Sequence, residues 1–498
     1  MIGPRTLLSL FYITAVSSTF TDPGYDCRPG QHCWPSSKEW NQFKVSIDGR
    51  LHQTVPIAAP CYADSPYYDE AACKVVQDYY DDNPTEPLYG NCSLARLASY
   101  YVDVRNPSDI SAAIKNTGHD YCGKSSVPNT LAIWTHNLDT FNFYPNFTAH
   151  SCPASNVRIS HSMDITGGYE QSVGLAGGFA QGGGVGSFTT SYGLMADNAV
   201  EFEVVTADGE VRIVNQCNDP ELFWAMRGGG GGTYAILTKY RVQVYPSLPI
   251  HVYSFKANFA LLTGQIEYFP ERFSVGLVLP YGDDGAKLKA ATASFAQFLN
   301  RRTDLAVTSH GYVSYTNYAA YLDVTAADAK VTEPSGIFSL FATRLIPREV
   351  FTSPDTIDEL VEGVMQGIAT SRSILNLAGT QIVPETPVTN LDSSHLTSVH
   401  PAWRTALWHV VHAGEWLEPL DEFTMQRTTG GFLEMIEPLK KLSPGGGVYL
   451  NEAHYLEPDW QQTFFGSNYD RLLQVKEKYD PTHIFDCYKC VGWRGQKE

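Results

Sequence analysis

Residues 181–186 read QGGGVG and residues 227–232 read RGGGGG. Such runs constrain a chain severely. Glycine loses more conformational freedom on folding than any other residue, so each run costs stability that something else must offset. Flexible linkers also carry glycine, but among Ser, Pro and Asn. Here VGLAGGFA precedes the first run, SYGLMADNAVEFEVV follows it, and the second run leads straight into TYAIL. Ordered sequence on both sides implies that bare backbone is needed for a close approach. A third stretch, KNTGHDYCGKS at 115–125, sets two glycines among donor side chains and one histidine, His119. This loop suits an anionic group such as pyrophosphate. Its histidine reads as a structural donor, a catalytic base or a covalent attachment point. No run matches GxxxxGK[ST], and none forms the strand–GxGxxG–helix unit followed by an acidic residue, so P-loop and Rossmann readings fail.

The compartment is legible at the start of the chain. MIGPRTLLSLFYITAVSSTF has Arg5 before a short apolar run, with Ala15 and Ser17 spaced like a cleavage site. This is the form of a secretory signal peptide over residues 1–18, too short in its apolar part to span a bilayer. No later stretch is long and apolar enough for a transmembrane helix. Ten cysteines, six of them within residues 27–122, predict a disulfide-stapled N-terminal region in an oxidising lumen or outside the cell. Their pairing is not deducible. Cys487-Tyr-Lys-Cys490 has no second CxxC and no thioredoxin-like setting, so a structural role is expected and no metal site. Sequons at Asn91 and Asn146 predict glycosylation. A net charge of −18 excludes nucleic acid and anionic membrane as main partners.

The texture predicts an α+β chain. Residues 19–90 form a Cys-rich N-terminal region. LAIWTH (131–136), AVEFEVVTADGEVRIV (199–214) and TYAILTKYRVQVYP (233–246) read as strands, with a hairpin turn at ADGE (207–210). FSVGLVLPYG (273–282) reads as a strand, and AKLKAATASFAQFLNRR (286–302) has helical spacing. SPDTIDELVEGVMQGIAT (353–370) and NYDRLLQVKEKYDP (468–481) read as helices, the latter stopped by proline. No repeat of 20–50 residues is present.

IKNTGHDYCGKSSVPNTLAIWTHNL resembles the flavin-anchoring loop of fungal berberine-bridge-enzyme-like oxidases, members of the vanillyl-alcohol-oxidase superfamily with its PCMH-type FAD domain. VGLAGGFAQGGGVGSFTTSYGLMADNAVEFEVVTADGE resembles a second FAD-contacting segment, and NDPELFWAMRGGGGGTYAILTKYRVQVYP the end of that domain. The segment GGVYLNEAHYLEPDWQQTFFGSNYDRLLQVKEKYDPTHIFDCYKCVGWRG resembles the C-terminal berberine-bridge element of isoamyl-alcohol-oxidase-like proteins. The resemblance spans most of residues 85–495.

It implies a PCMH-type FAD-binding domain at 91–248. An α+β substrate domain at 249–430 would have an antiparallel sheet covered by helices, and a C-terminal segment at 431–498 would return to the FAD domain. It implies FAD joined covalently through His119, with Asn116, Thr117, Gly118, Asp120, Tyr121, Gly123 and Ser125 around the pyrophosphate. Gly177, Gly178, Gly182, Gly183 and Gly184 would let backbone approach the flavin. Relatives with a second, cysteinyl link carry it where GGYEQSVG (167–174) has no cysteine, so a single link is expected. Tyr449 is the expected base and Asn451 a positioning group; Asn468-Tyr469 and HPAWR (400–404) resemble further elements near the site. Implied partners are a small-molecule substrate, an alcohol or amine of secondary metabolism, and O2, acting on a monomer. Two shortened stretches, before KNTGHDY and before GGYEQSVG, motivate a rival reading as a flavin-less shell. A secreted carbohydrate oxidase is the other alternative.

Overall fold

The computed structural model describes residues 30–32, 34–56, 59–79, 98–107, 130–152, 157–158, 163–168, 173–247, 249–258, 273–280, 293, 297, 301, 306–328, 338–374, 378–384, 397–416 and 420–495. The string 115–125 lies outside them, as do Cys27, Cys33, Cys92, Cys122 and Asn91. Residues 30–49 belong to a small unit of their own. Its helix Ser37–Ser46 starts on a capping box, with Ser36 N–H donating to Glu39 Oε2 at 2.7 Å.

Within residues 50–493, Leu51–Gln53, Tyr100–Asp103 and Leu131–Trp134 form a small sheet, the last two strands parallel. A second sheet is antiparallel: Ala199–Thr206 lies between Val211–Asn215 and Ala235–Val242. The expected hairpin is present. Gly209 supplies φ 79°, and Thr206 N–H donates to Glu210 O at 3.1 Å. Its core joins Phe202, Val204 and Val214 to Leu222, Phe223 and Trp224 of the helix Pro220–Ala225. The same core takes Leu472, Val475 and Tyr479 of the helix Tyr469–Tyr479. The C-terminal segment thus completes the first domain.

The middle of the chain is built on antiparallel strands. Ile250–Asn258 pairs with Phe273–Pro280 and Ala306–Tyr315, and Ala406–Trp416 lies between Phe338–Pro347 and Ala378–Pro384. Period-two alternation gives Ala406–Trp416 two distinct faces. Val410 and Trp416 pack with Leu340, Ala342 and Ile346 against the helices Pro354–Ile374 and Glu422–Leu442. The other face carries His409, opposite Leu345, and Val411, opposite Thr343. The architecture is α+β, as read from the sequence. The helix expected at 286–302 is described only at Ala293, Gln297 and Arg301, which are helical.

Disulfides join Cys61 to Cys73, Cys152 to Cys217, and Cys487 to Cys490. The CxxC pair therefore closes on itself. Among the described residues no helix is long and apolar enough to cross a membrane, and no His, Cys, Asp and Glu group could hold a metal ion.

Candidate functional site

The first two glycine runs meet. Gln181 O accepts from Gly228 N–H at 2.9 Å and Gly230 N–H at 3.0 Å. Gly183 O and Gly184 O accept from Ala196 and Met195 at 2.9 and 2.8 Å. Gly183 (φ 123°), Gly184 (φ 76°) and Gly228 (φ 132°) adopt backbone that L side chains avoid. Space is scarce too. A Cβ on Gly184 would lie 2.5 Å from Met195 Cβ, and one on Gly228 2.1 Å from Val399 N. At Gly182 it would fall 2.0 Å from Asn451 Oδ1. These three glycines thus have a packing reason of their own, whereas Gly183 keeps 3.7 Å clearance from Tyr449 Cε2 and Val399 Cγ1. Gly177 and Gly178 lie in the turn Leu175–Phe179, which Gly177 breaks with φ −82°, ψ −122°.

Tyr449 and Asn451 come together over this cradle. Asn451 Nδ2 donates to Tyr449 Oη at 2.8 Å and to Phe179 O at 3.2 Å. The backbone N–H groups of Gly184 and Val185 also hydrogen-bond the phenol. Burial pushes the Tyr449 phenol well above its ordinary pKa and the nearby Glu452 carboxylate adds to this. The donors from Asn451, Val185 and Gly184 oppose both. The net result is a neutral, protonated tyrosine whose oxygen is set among N–H donors.

His409 was not legible as a site residue. Its ring stands edge-on to Tyr449, centroids 5.8 Å apart, and Trp403 stands edge-on to both. It is 1% exposed, and neither ring nitrogen has a hydrogen-bond partner among the described residues. Glu452 Oε2 is 3.8 Å from its Nε2. Burial pulls the imidazole pKa down to about 3, so the ring is neutral. One signal was available: ALWHVVHAGEW is otherwise a buried strand, and alternation puts His409 and His412 on opposite faces. A buried polar group without a partner costs about 1–3 kcal/mol, a cost that His409 carries at both ring nitrogens.

The other resembling elements hold the wall in place. His400 Nδ1 accepts from Ala402 N–H at 3.0 Å, starting the short helix Pro401–Arg404 that positions Trp403. Arg404 forks onto Asp197 with contacts of 2.9 and 2.7 Å, tying this wall to the turn after the first glycine run. Asn468 Nδ2 donates to Val399 O at 2.9 Å.

A cleft of about 1040 Å³ opens from the same turn. Gly174, Gly177 and Gln181 line it, together with residues between Trp134 and Phe147 and the strand Ala235–Val242. That volume is at the upper end for small-molecule and cofactor sites, roughly 300–1,000 Å³. Asn146 is exposed at the strand Asn146–Phe147. Of the residues assigned to the anchoring loop, Asn116, Thr117, Gly118, His119, Asp120, Tyr121, Gly123 and Ser125 all lie outside the described residues.

A family profile described as "Berberine and berberine like" matches residues 448–490. The VAO-type flavoprotein oxidase VAO615 of Thermothelomyces thermophilus is 31% identical, over 98% of this chain and 97% of its own. The FAD-linked oxidoreductase patO of Aspergillus clavatus is 30% identical, over 98% and 96%. Among solved structures, VAO-type flavoprotein MtVAO615 of Myceliophthora thermophila C1 superposes with a TM-score of 0.80 at 27% identity. That match covers 94% of this chain and 97% of the other. A berberine bridge enzyme variant shares the fold at a TM-score of 0.63 and 15% identity, over 92% and 100%.

Proposed function

The chain belongs to the FAD-linked oxidoreductases of the vanillyl-alcohol-oxidase and berberine-bridge type, and on that premise we propose that it oxidises the C–H bond beside a hydroxyl or amine of a small secondary metabolite. We further propose that FAD is held by a single covalent link through His119 and is reoxidised by O2. When bound, FAD supplies the hydride acceptor. The residues present fit such a group. The cleft has the volume for a dinucleotide, and the turn Leu175–Phe179 that contributes to its lining also holds Asn451 through Phe179 O. Gly174, Gly177 and Gln181 would hold the cofactor there.

The observation that carries the reading is a neutral, unpartnered His409 edge-on to a protonated Tyr449. Tyr449, expected as the base, is held as a phenol by its burial. We therefore assign it the task of donating a hydrogen bond to the substrate oxygen, with Asn451 fixing its ring. His409 has the lone pair to accept the hydroxyl proton, and the Glu452 carboxylate at 3.8 Å favours the imidazolium that results. Trp403 and Leu345 keep water from the pair. The three disulfides among the described residues support placing the protein in an oxidising lumen or outside the cell, where it would act as a monomer with glycans at Asn91 and Asn146.

The test is an acid denaturation. Flavin absorbance that stays with the precipitated protein, and leaves it in His119→Ala, supports the covalent link. Colour in the supernatant of the unaltered protein refutes the link, and a folded protein without flavin refutes the oxidase reading. For the proton step, His409→Asn should lower kcat by about 10²–10⁴-fold. Tyr449→Phe should lose less and keep the pH profile. Equal losses with an unchanged profile in both variants would sink the assignment.

A further inference from the structure

Beyond His409, the same sheet face holds a polar atom that the mechanism above leaves unused. Thr343, on the strand Phe338–Pro347, is 2% exposed, and its Oγ1 has no hydrogen-bond partner among the described residues. Threonine hydroxyls buried in sheets normally donate to a carbonyl or a neighbouring side chain. The register places it. Thr343 stands opposite Val411 and Leu345 opposite His409, so Thr343 and His409 are diagonal neighbours on one face. Diagonal side chains across an antiparallel pair stand roughly 7–8 Å apart. Leu345, next along that face, packs in one apolar cluster with Val399, Trp403 and Tyr449. Two orphaned polar groups, a hydroxyl and a neutral imidazole, thus sit as diagonal neighbours on one face, beside the apolar Leu345.

We infer that Thr343 is a second recognition point for the substrate. This rests on the oxidase reading and deepens it. The hydroxyl binds a second neutral oxygen, held away from the carbinol that faces His409 and Tyr449. The substrate class is then an uncharged, ring-sized molecule with two oxygen functions. A carboxylate at the second position is disfavoured, because one neutral hydroxyl cannot offset the desolvation of a full charge. Val at 343 has the same shape and no hydroxyl, so it removes the recognition and the orphaned group together.

The experiment uses the full-length, flavin-loaded protein and isothermal titration calorimetry under anaerobic conditions. The probes are 1,3-benzenedimethanol, benzyl alcohol and 3-(hydroxymethyl)benzoate, and the visible spectrum gives flavin content separately. The diol is expected to bind the unaltered protein about tenfold more tightly than benzyl alcohol, the worth of one net hydrogen bond, and the benzoate more weakly than either. Thr343→Val should erase the diol's advantage and leave benzyl alcohol unchanged, while Thr343→Ser keeps the preference. Thr343→Val should also melt at a higher temperature, because it deletes a buried group with no partner. An unchanged diol preference in Thr343→Val, a lower melting temperature, or no heat from any probe with flavin-loaded protein would each overturn the inference. Absence of flavin from folded protein is instead the failure of the oxidase reading, visible in the spectrum before any titration.

Discussion

Adding one methyl group at Gly182 tests whether the cradle and the tyrosine pair form one unit. In Gly182→Ala the new Cβ would lie 2.0, 2.6 and 2.8 Å from Oδ1, Cγ and Nδ2 of Asn451. Gly182 is not among the positive-φ glycines, so alanine meets no backbone penalty and the effect is contact alone. Asn451 must leave, losing its hydrogen bonds to Tyr449 Oη and Phe179 O. Two such bonds are worth about 1 kcal/mol each, and overpacking adds about 1–3 kcal/mol. The expected destabilisation is therefore about 3–5 kcal/mol, read as a lower urea midpoint at constant m-value. The partner variant, Asn451→Ala, loses the bonds but clears the space. The double variant should then cost no more than Asn451→Ala alone, a coupling nearly as large as the Gly182→Ala effect. A single-variant cost under about 0.5 kcal/mol, or costs that add within about 0.5 kcal/mol, would refute the reasoning.

Acid should weaken the fold through its buried histidines. Burial holds His400, His409, His412 and His454 neutral, with pKa values pulled to about 4, 3, 4 and 4. Below the unfolded value of about 6.5, the unfolded chain binds protons that the native state does not, so stability falls as pH drops from there toward 4. Each histidine contributes a slope of about 1.4 kcal/mol per pH unit. His412→Gln should flatten the dependence of the urea midpoint on pH by one such increment. Lys476 and Asp480 are both fully buried and paired at 2.6 Å, so Lys476→Met should cost about 3–5 kcal/mol by stranding a carboxylate. This would appear as a large drop in melting temperature. The Cys152–Cys217 bridge spans 65 residues, and replacing both cysteines by alanine should cost about 2–4 kcal/mol and shrink the loss of stability that reductant causes.

The elements that the sequence revealed carry their information locally. ADGE between two alternating runs dictated a hairpin. The amphipathic spacing of 353–370 and 468–481 dictated helices that run Pro354–Ile374 and Tyr469–Tyr479. Tyr449 and Asn451 were found because they stand two residues apart in a recognisable segment. His409 and Thr343 were not, because what makes them notable is shared sidedness. That depends on the register between strands some 60 residues apart, and one residue of slip would turn either away. The reason for Gly182 was hidden in the same way, since its neighbour Asn451 lies far along the chain. The disulfide partners follow from the fold and not from spacing.

The way the chain ends has a consequence for how it is made. The apolar side of the first domain's sheet, Phe202, Val204 and Val214, is covered by Leu472 and Val475. Roughly 260 residues must be synthesised between Val214 and Val475. At about 5–20 residues per second that is some 13–50 s, during which the ribosome holds an open half-domain. Contacts of such long range make for slow closure, and chaperones have that interval in which to shield the sheet. A message truncated before Leu472 would give no smaller working enzyme, only a chain with its first core exposed and destined for degradation.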